Sequence, residues 1–195
     1  IYTAQPLNQV NQLVVGLENS YEWARFKQGY EDQLKVLQKK RNLGQFKVSK
    51  LAEFGAWYKS KFTGVSPTQV VEASDPLGSD QRAVWMMNPY YRAGWFVDQF
   101  GSRFRDIRPY DEGQTESCYF KRCDLMQATT QVVRVLDEIT LGRSLTLDQG
   151  KISEFKVLRV GDNIRLSYLN EAGRGREIDL MPRDIAIDGS VRTID

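Results

Sequence analysis

The sequence predicts an α+β protein with an N-terminal helical hairpin, central aromatic-rich helices and a small C-terminal antiparallel β-meander. In most of the chain before Gly142, apolar residues recur at three- and four-residue steps, which is the helical period. After Gly142 they recur at every second residue, which is typical of strands with one buried face. The 195 residues allow one large domain or two small ones. We therefore expect a helical hairpin in residues 1–66 and an α+β domain in residues 67–195, or one continuous domain.

The first predicted helix begins near Pro6, a residue favoured in the first helical turn. Its apolar stripe changes phase after Tyr21, so its two halves are expected to face different partners. The stripe consists of Leu7, Val10, Val14, Leu17 and Tyr21, followed by Trp23, Phe26, Tyr30, Leu34 and Leu37. Basic residues at 39–41 and the following Gly44 predict the end of the helix.

The second predicted helix ends before Gly64 and completes the hairpin. Its apolar face consists of Val48, Leu51, Phe54, Tyr58 and Phe62. Residues 1–70 carry ten basic and five acidic side chains, so the outer faces of the hairpin are expected to be basic. Lysines on the polar face of such a helix are most often solvated, and contact with acidic lipid headgroups or phosphate is the alternative.

Residues 68–73 and 81–87 are predicted to pair as strands across the turn-rich segment 74–79, although a helix over residues 83–87 fits nearly as well. Asn88-Pro89 combines a favoured N-cap with a favoured first helical residue. We therefore predict a helix from Pro89 to about residue 100 or 104.

Another helix is predicted from Asp124, a plausible N-cap, to Gly142. Its apolar face consists of Leu125, Ala128, Val132, Leu136 and Ile139. Beyond it, alternating apolar residues predict short strands at residues 155–160, 164–168, 178–180 and 185–187. Their short, turn-like connections predict an antiparallel meander.

The chain contains no histidine, which excludes Ser-His-Asp and Cys-His nucleophiles, HExxH zinc sites and histidine bases. No carboxylate pair at a convincing spacing takes their place. The sequence therefore predicts no catalytic residue, no metal site and no cofactor. An enzyme that uses carboxylates or a cofactor remains as an alternative.

Cys118 and Cys123 lie in a predicted polar loop and are compatible with one structural disulfide. Such a bond favours an extracytoplasmic location, although two reduced thiols in the cytosol are the alternative. The chain begins at Ile1 rather than methionine, so we expect a processed chain or a fragment, and an upstream anchor is compatible with this. No apolar run is long enough to span a membrane.

The most distinctive stretch, residues 83–110, combines large aromatic residues with four arginines and no lysine. Trp, Tyr, Met and Arg are the residues enriched in protein interfaces. The candidate partner-binding residues are Trp85, Tyr90, Tyr91, Arg92, Trp95, Phe100, Arg103 and Arg105. The alternative is a nucleic-acid-binding module that uses residues 85–110, with aromatic rings stacking on bases. Residues 71–110 carry five basic and five acidic side chains, which opposes phosphate binding.

These observations favour a non-catalytic structural or adaptor subunit of a larger protein assembly, with other protein subunits as partners. A bacterial envelope or secretion complex would fit a fragment that carries a disulfide.

Overall fold

The computed structural model describes residues 7–16, 22–75, 77–110, 122 and 135–194. The chain divides into two compact units, Asn11–Gly64 and the combination of Ile1–Val10 with Val65–Asp195. We call them the helical unit and the β unit. The predicted domain limit at residue 66 stays a prediction, since compactness alone does not test independent folding.

The helical unit contains α1 (Trp23–Asn42) and α2 (Leu51–Lys61). At the end of α1, the backbone N–H of Gly44 donates to the Arg41 carbonyl at 2.9 Å. Gly44 adopts a φ of 73°, which glycine tolerates better than other residues. The stop signal predicted from the basic last turn and Gly44 is therefore confirmed.

The predicted start of the first helix is wrong. Residues 7–16 are not helical, so the phase change after Tyr21 coincides with the start of α1 instead of dividing one long helix. Neither α1 nor α2 contains a buried residue, so the two helices share no buried apolar seam. Leu7, predicted to be helical, instead belongs to the hydrophobic core of the β unit.

The β unit contains two antiparallel sheets. The first sheet consists of β1 (Gln69–Ser74), β2 (Arg82–Met87), β3 (Tyr91–Asp98), β4 (Gly101–Pro109), β5 (Leu136–Asp137) and β6 (Leu145–Gln149). Strands β1 to β5 follow one another in order, and β6 pairs with β4 beside β5. A short helix, α3 (Glu138–Leu141), links β5 to β6 and ends at Gly142.

The second sheet consists of β7 (Ser153–Val160), β8 (Asn163–Leu169), β9 (Gly175–Leu180), β10 (Asp184–Ile187) and β11 (Ser190–Thr193). Each strand pairs with the next along the chain. The four segments with alternating apolar residues are all strands, and β11 was missed because its residues are exposed and show no apolar alternation.

The predicted α+β fold class is wrong, because 42% of the described residues lie in strands and 22% in helices, and the two sheets have six and five strands. The predicted helix from Pro89 is instead strands β3 and β4 with a tight turn between them. Asn88 caps the turn before β3, since its Oδ1 accepts the backbone N–H groups of Tyr90 and Tyr91 at 2.7 and 2.8 Å. Aromatic residues favour strands, and Asn-Pro starts turns as readily as helices.

The predicted helix over residues 124–141 falls mostly outside the described residues, as do Cys118 and Cys123. Its described end forms β5 and the single-turn helix α3. The strand pair predicted at residues 68–73 and 81–87 is confirmed as β1 and β2, with Val71 opposite Trp85.

The two sheets pack face to face around Trp95, which is fully buried. Its indole stacks on the Phe155 ring at 5.1 Å and lies 5.6 Å from the Tyr168 ring. Tyr91 crosses the same interface, and its hydroxyl donates to the carbonyls of Met181 and Asp184 at 2.8 and 3.1 Å. The aromatic segment therefore supplies the centre of the core.

Candidate protein-binding face

The alternation of side chains along β2, β3 and β4 gives the first sheet two different faces. One face carries the core residues, and the opposite face carries arginines and aromatic rings. We call the second surface the arginine–aromatic face; it comprises Trp85, Arg92, Phe96, Arg103, Arg105 and Arg108.

The aromatic rings of this face form a compact cluster. The rings of Trp85 and Phe96 meet edge to face at 5.5 Å and 89°. The Arg92 guanidinium lies 5.6 Å from the centre of the Trp85 ring, and that of Arg105 lies 4.7 Å from the centre of the Phe96 ring. Such cation–π contacts fix the planes of both guanidinium groups.

Asp106 binds two arginines at the centre of the face. Arg92 donates to both of its oxygens, at 2.8 and 3.2 Å, and Arg108 Nε donates to Oδ2 at 2.7 Å. Arg108 also reaches Asp137 on β5 at 2.9 Å. The hydrogen bond to Asp106 raises the pKa of Arg92. The two N–H donors of Arg92 meet both oxygens of Asp106, and this paired geometry holds the guanidinium and the carboxylate in one orientation.

A second ion-pair group lies at the other end of the face. Arg103 contacts Asp98 at 2.8 Å and Glu138 at 3.2 Å. Arg105 Nε lies 2.5 Å from a Glu138 oxygen but outside hydrogen-bond geometry, so this contact is electrostatic. Burial opposes ionisation of Asp98, but hydrogen bonds from Arg103 and the Phe100 backbone outweigh it and lower the pKa of Asp98.

The charges of the arginine–aromatic face therefore cancel. Four arginines face the four carboxylates of Asp98, Asp106, Asp137 and Glu138. A phosphate would have to displace a carboxylate to bind, and the counterion release that drives nucleic-acid binding would be small. A protein surface can contact such a face without breaking its ion pairs.

The predicted partner-binding residues do not share one surface. Trp85, Arg92, Arg103 and Arg105 lie on the arginine–aromatic face. Tyr91 and Trp95 are fully buried between the sheets, so no partner can reach them in the folded unit. Phe100 lies at the turn between β3 and β4 and is 73% exposed.

Tyr90 is half-buried beside the second sheet, where the Arg183 guanidinium lies 3.9 Å from the centre of its ring. Phe96 and Arg108 belong to the face but were not among the predicted partner-binding residues, and neither were Asp137 and Glu138, which pair with its arginines. An assignment of residues 91–98 as a strand would have placed Phe96 on the same face as Arg92. No pattern in the sequence around Asp137 and Glu138 indicates that they reach this face.

The stripe on α1 is a second candidate surface. Trp23, Phe26, Tyr30, Leu34 and Leu37 recur at helical spacing, and none is buried. Trp23 is 52% exposed and Leu34 is 42% exposed. Amphipathic helices gain most of their stability by packing their apolar face, yet Trp23 and Leu34 of this face are exposed.

A shallow cleft of about 510 Å³ beside the turn between β3 and β4 offers no acid–base pair. Its aspartate, Asp148, already accepts from the Tyr168 hydroxyl, Asn170 and Arg176 at 2.7 to 2.9 Å. Within the described ranges, no group of three or more Cys, Asp or Glu residues is arranged to hold a metal ion.

No helix in the described part of the chain combines the length and hydropathy needed to cross a membrane. Comparison of the chain with protein-family models, curated protein sequences and solved structures found no match.

Proposed function

We propose that the chain is a non-catalytic structural or adaptor subunit of a larger protein assembly. The observation that carries this proposal is the exposure of Trp23 and Leu34 on the apolar stripe of α1. A folded helix of 20 residues that exposes an aromatic and an aliphatic side chain on one face is typical of a partner-binding element.

The arginine–aromatic face supports the same function. It presents Trp and Arg, the residues most enriched at energetic hot spots, on a sheet that holds them in fixed positions. Its arginines and carboxylates are already paired, so a partner gains contact area without leaving a buried charge unpaired.

The test compares two variants of α1 with the wild-type chain. Leu34→Gln combined with Leu37→Gln removes the centre of the stripe while keeping good helix formers. Val36→Gln is the matched control, because Val36 is also exposed but lies about 100° or more from Leu34 and Leu37 around the helix axis.

Each variant is cross-linked through lysines in an extract of the source cells, and the cross-linked peptides are identified by mass spectrometry. The proposal expects one partner protein linked to Lys27, Lys35 or Lys39 in the wild-type and Val36→Gln chains. That partner should be lost in the double variant. A clean monomer without cross-links, or a partner that both variants retain equally, would contradict it.

A further inference from the structure

The segment Lys39–Phe62 has an unusual charge distribution. It carries seven basic side chains and one acidic side chain, so its net charge is +6 over 24 residues. All seven basic residues are exposed, and none lies within ion-pair distance of a carboxylate in the described parts of the chain. These residues are Lys39, Lys40, Arg41, Lys47, Lys50, Lys59 and Lys61. By contrast, Lys27 and Lys35 earlier on α1 pair with Glu31 and Asp32.

Aromatic rings are concentrated within the same segment. Phe54 contacts Trp57 and Tyr58 at 5.6 and 5.9 Å, and Tyr58 contacts Phe62 at 4.7 Å. Trp57 is 43% exposed, and Leu51 at the start of α2 is 67% exposed. The segment therefore combines exposed apolar area with positive charge that no described carboxylate neutralises, although Lys61 lies 5.8 Å from the centre of the Trp57 ring.

We propose that the segment Lys39–Phe62 binds the surface of an anionic lipid bilayer. Basic side chains are attracted to anionic headgroups, and Trp and Tyr rings favour the interfacial region of a membrane. The exposed Leu51 and Trp57 would enter the headgroup region while Lys59 and Lys61, on the last turn of α2, contact phosphates. This binding adds to the proposed role as an assembly subunit and does not depend on it.

Two observations favour a bilayer over nucleic acid. Six of the seven basic residues are lysine, whereas arginine is the residue that binds phosphate in bidentate geometry. The rings of Phe54, Tyr58 and Phe62 contact one another, so few ring faces are open to stack on bases.

The experiment measures co-sedimentation of the full chain with two kinds of vesicle. One contains phosphatidylcholine mixed with phosphatidylglycerol, and the other contains phosphatidylcholine alone. We expect binding to the anionic vesicles that is at least about tenfold tighter, because each lysine near the surface adds to the attraction. Raised salt should weaken the binding.

The charge variant replaces Lys47, Lys50, Lys59 and Lys61 with Gln. Its matched control replaces the equally exposed lysines Lys27, Lys35, Lys151 and Lys156 with Gln, so both chains have the same net charge. We expect the charge variant to lose about tenfold or more in affinity for anionic vesicles, and the control to lose much less.

The aromatic contribution is tested by Trp57→Gln, with Phe100→Gln as the exposed aromatic control in the β unit. Trp57→Gln should weaken vesicle binding and Phe100→Gln should not. Circular dichroism confirms that each variant is folded.

Equal binding to both kinds of vesicle, or equal losses in the charge variant and its control, would overturn the proposal. Absence of vesicle binding would also overturn it. If the same lysines were then required to bind single-stranded DNA, the segment would be a nucleic-acid surface instead.

Discussion

The indole ring of Trp85 lies directly over Gly94 on the neighbouring strand. A Cβ atom added to Gly94 would lie 2.7 Å from Trp85 Cζ3 and 2.8 Å from Cη2, closer than non-bonded carbon atoms approach. Because Phe96 and Arg92 pack against the other sides of the indole, the ring has little room to move. Gly94 is thus a structural requirement of the arginine–aromatic face.

We expect Gly94→Ala to displace the Trp85 ring and to lower the free energy of unfolding by about 1–3 kcal/mol. Urea denaturation measures the loss, and near-ultraviolet circular dichroism reports the moved indole. Gly175→Ala is the matched control, since a Cβ at that strand position meets no atom within 4 Å. Equal stability of the two variants would show that Trp85 does not pack over Gly94.

Asp106 should contribute more to stability than an exposed carboxylate. Its removal leaves Arg92 and Arg108 without their shared acceptor on a half-buried face, so Asp106→Ala is expected to cost about 3 kcal/mol. Asp80 pairs with Lys151 where both side chains are more than 70% exposed, and Asp80→Ala should change stability by less than about 0.5 kcal/mol. Urea denaturation of both variants under the same salt conditions checks the difference.

The aromatic segment was predicted to be helical because of Asn88-Pro89, and the four-residue spacing of its aromatic residues did not contradict that prediction. Tyr91 and Trp95 share a face in a helix, because four is close to one turn, and also in a strand, because four is a multiple of two. Ala93, which lies between them and also faces the core, is too small to signal the shorter period. The C-terminal strands were easier to predict, because large apolar residues alternate there without such interruption.

The ion pairs of the arginine–aromatic face could be predicted only in part. Residues 71–110 carry equal numbers of basic and acidic side chains, and two of these acidic residues, Asp98 and Asp106, pair with arginines of the face. Asp137 and Glu138 come from strand β5 and helix α3, about 30 residues further along the chain, and reach the face through strand pairing. Contacts between distant segments depend on topology, which the local pattern does not specify.

The β unit should lose stability in acid through Asp148. Burial opposes ionisation of this carboxyl, but hydrogen bonds from Asn170, Tyr168 and Arg176 outweigh it and lower the pKa of Asp148 from 3.8. A lowered folded-state pKa stabilises the fold at pH values above 3.8, and this contribution disappears as the pH falls through the folded-state pKa. The pKa of Asp98 is also lowered, so its ionised form likewise stabilises the fold and this contribution is lost in acid.

Asp148→Asn should therefore cost about 2 kcal/mol at neutral pH and much less in acid. Urea denaturation at neutral pH and again well below pH 3.8 measures both values. Glu154→Gln is the matched control, because the Glu154 side chain is exposed. A constant difference between Asp148→Asn and the wild-type chain across the pH range would contradict the role assigned to the Asp148 charge.

The paired arginines of the arginine–aromatic face should contribute nothing to nucleic-acid affinity. Arg92 and Arg105 each contact a carboxylate and lie over an aromatic ring, so neither charge is free to replace counterions on a phosphate backbone. We expect the double variant Arg92→Gln/Arg105→Gln to bind single-stranded DNA with the same affinity and the same salt dependence as the wild-type chain. Fluorescence anisotropy at low and moderate salt makes this comparison. A smaller salt dependence in the double variant would instead support the nucleic-acid alternative for residues 85–110, because each lost phosphate contact reduces the slope.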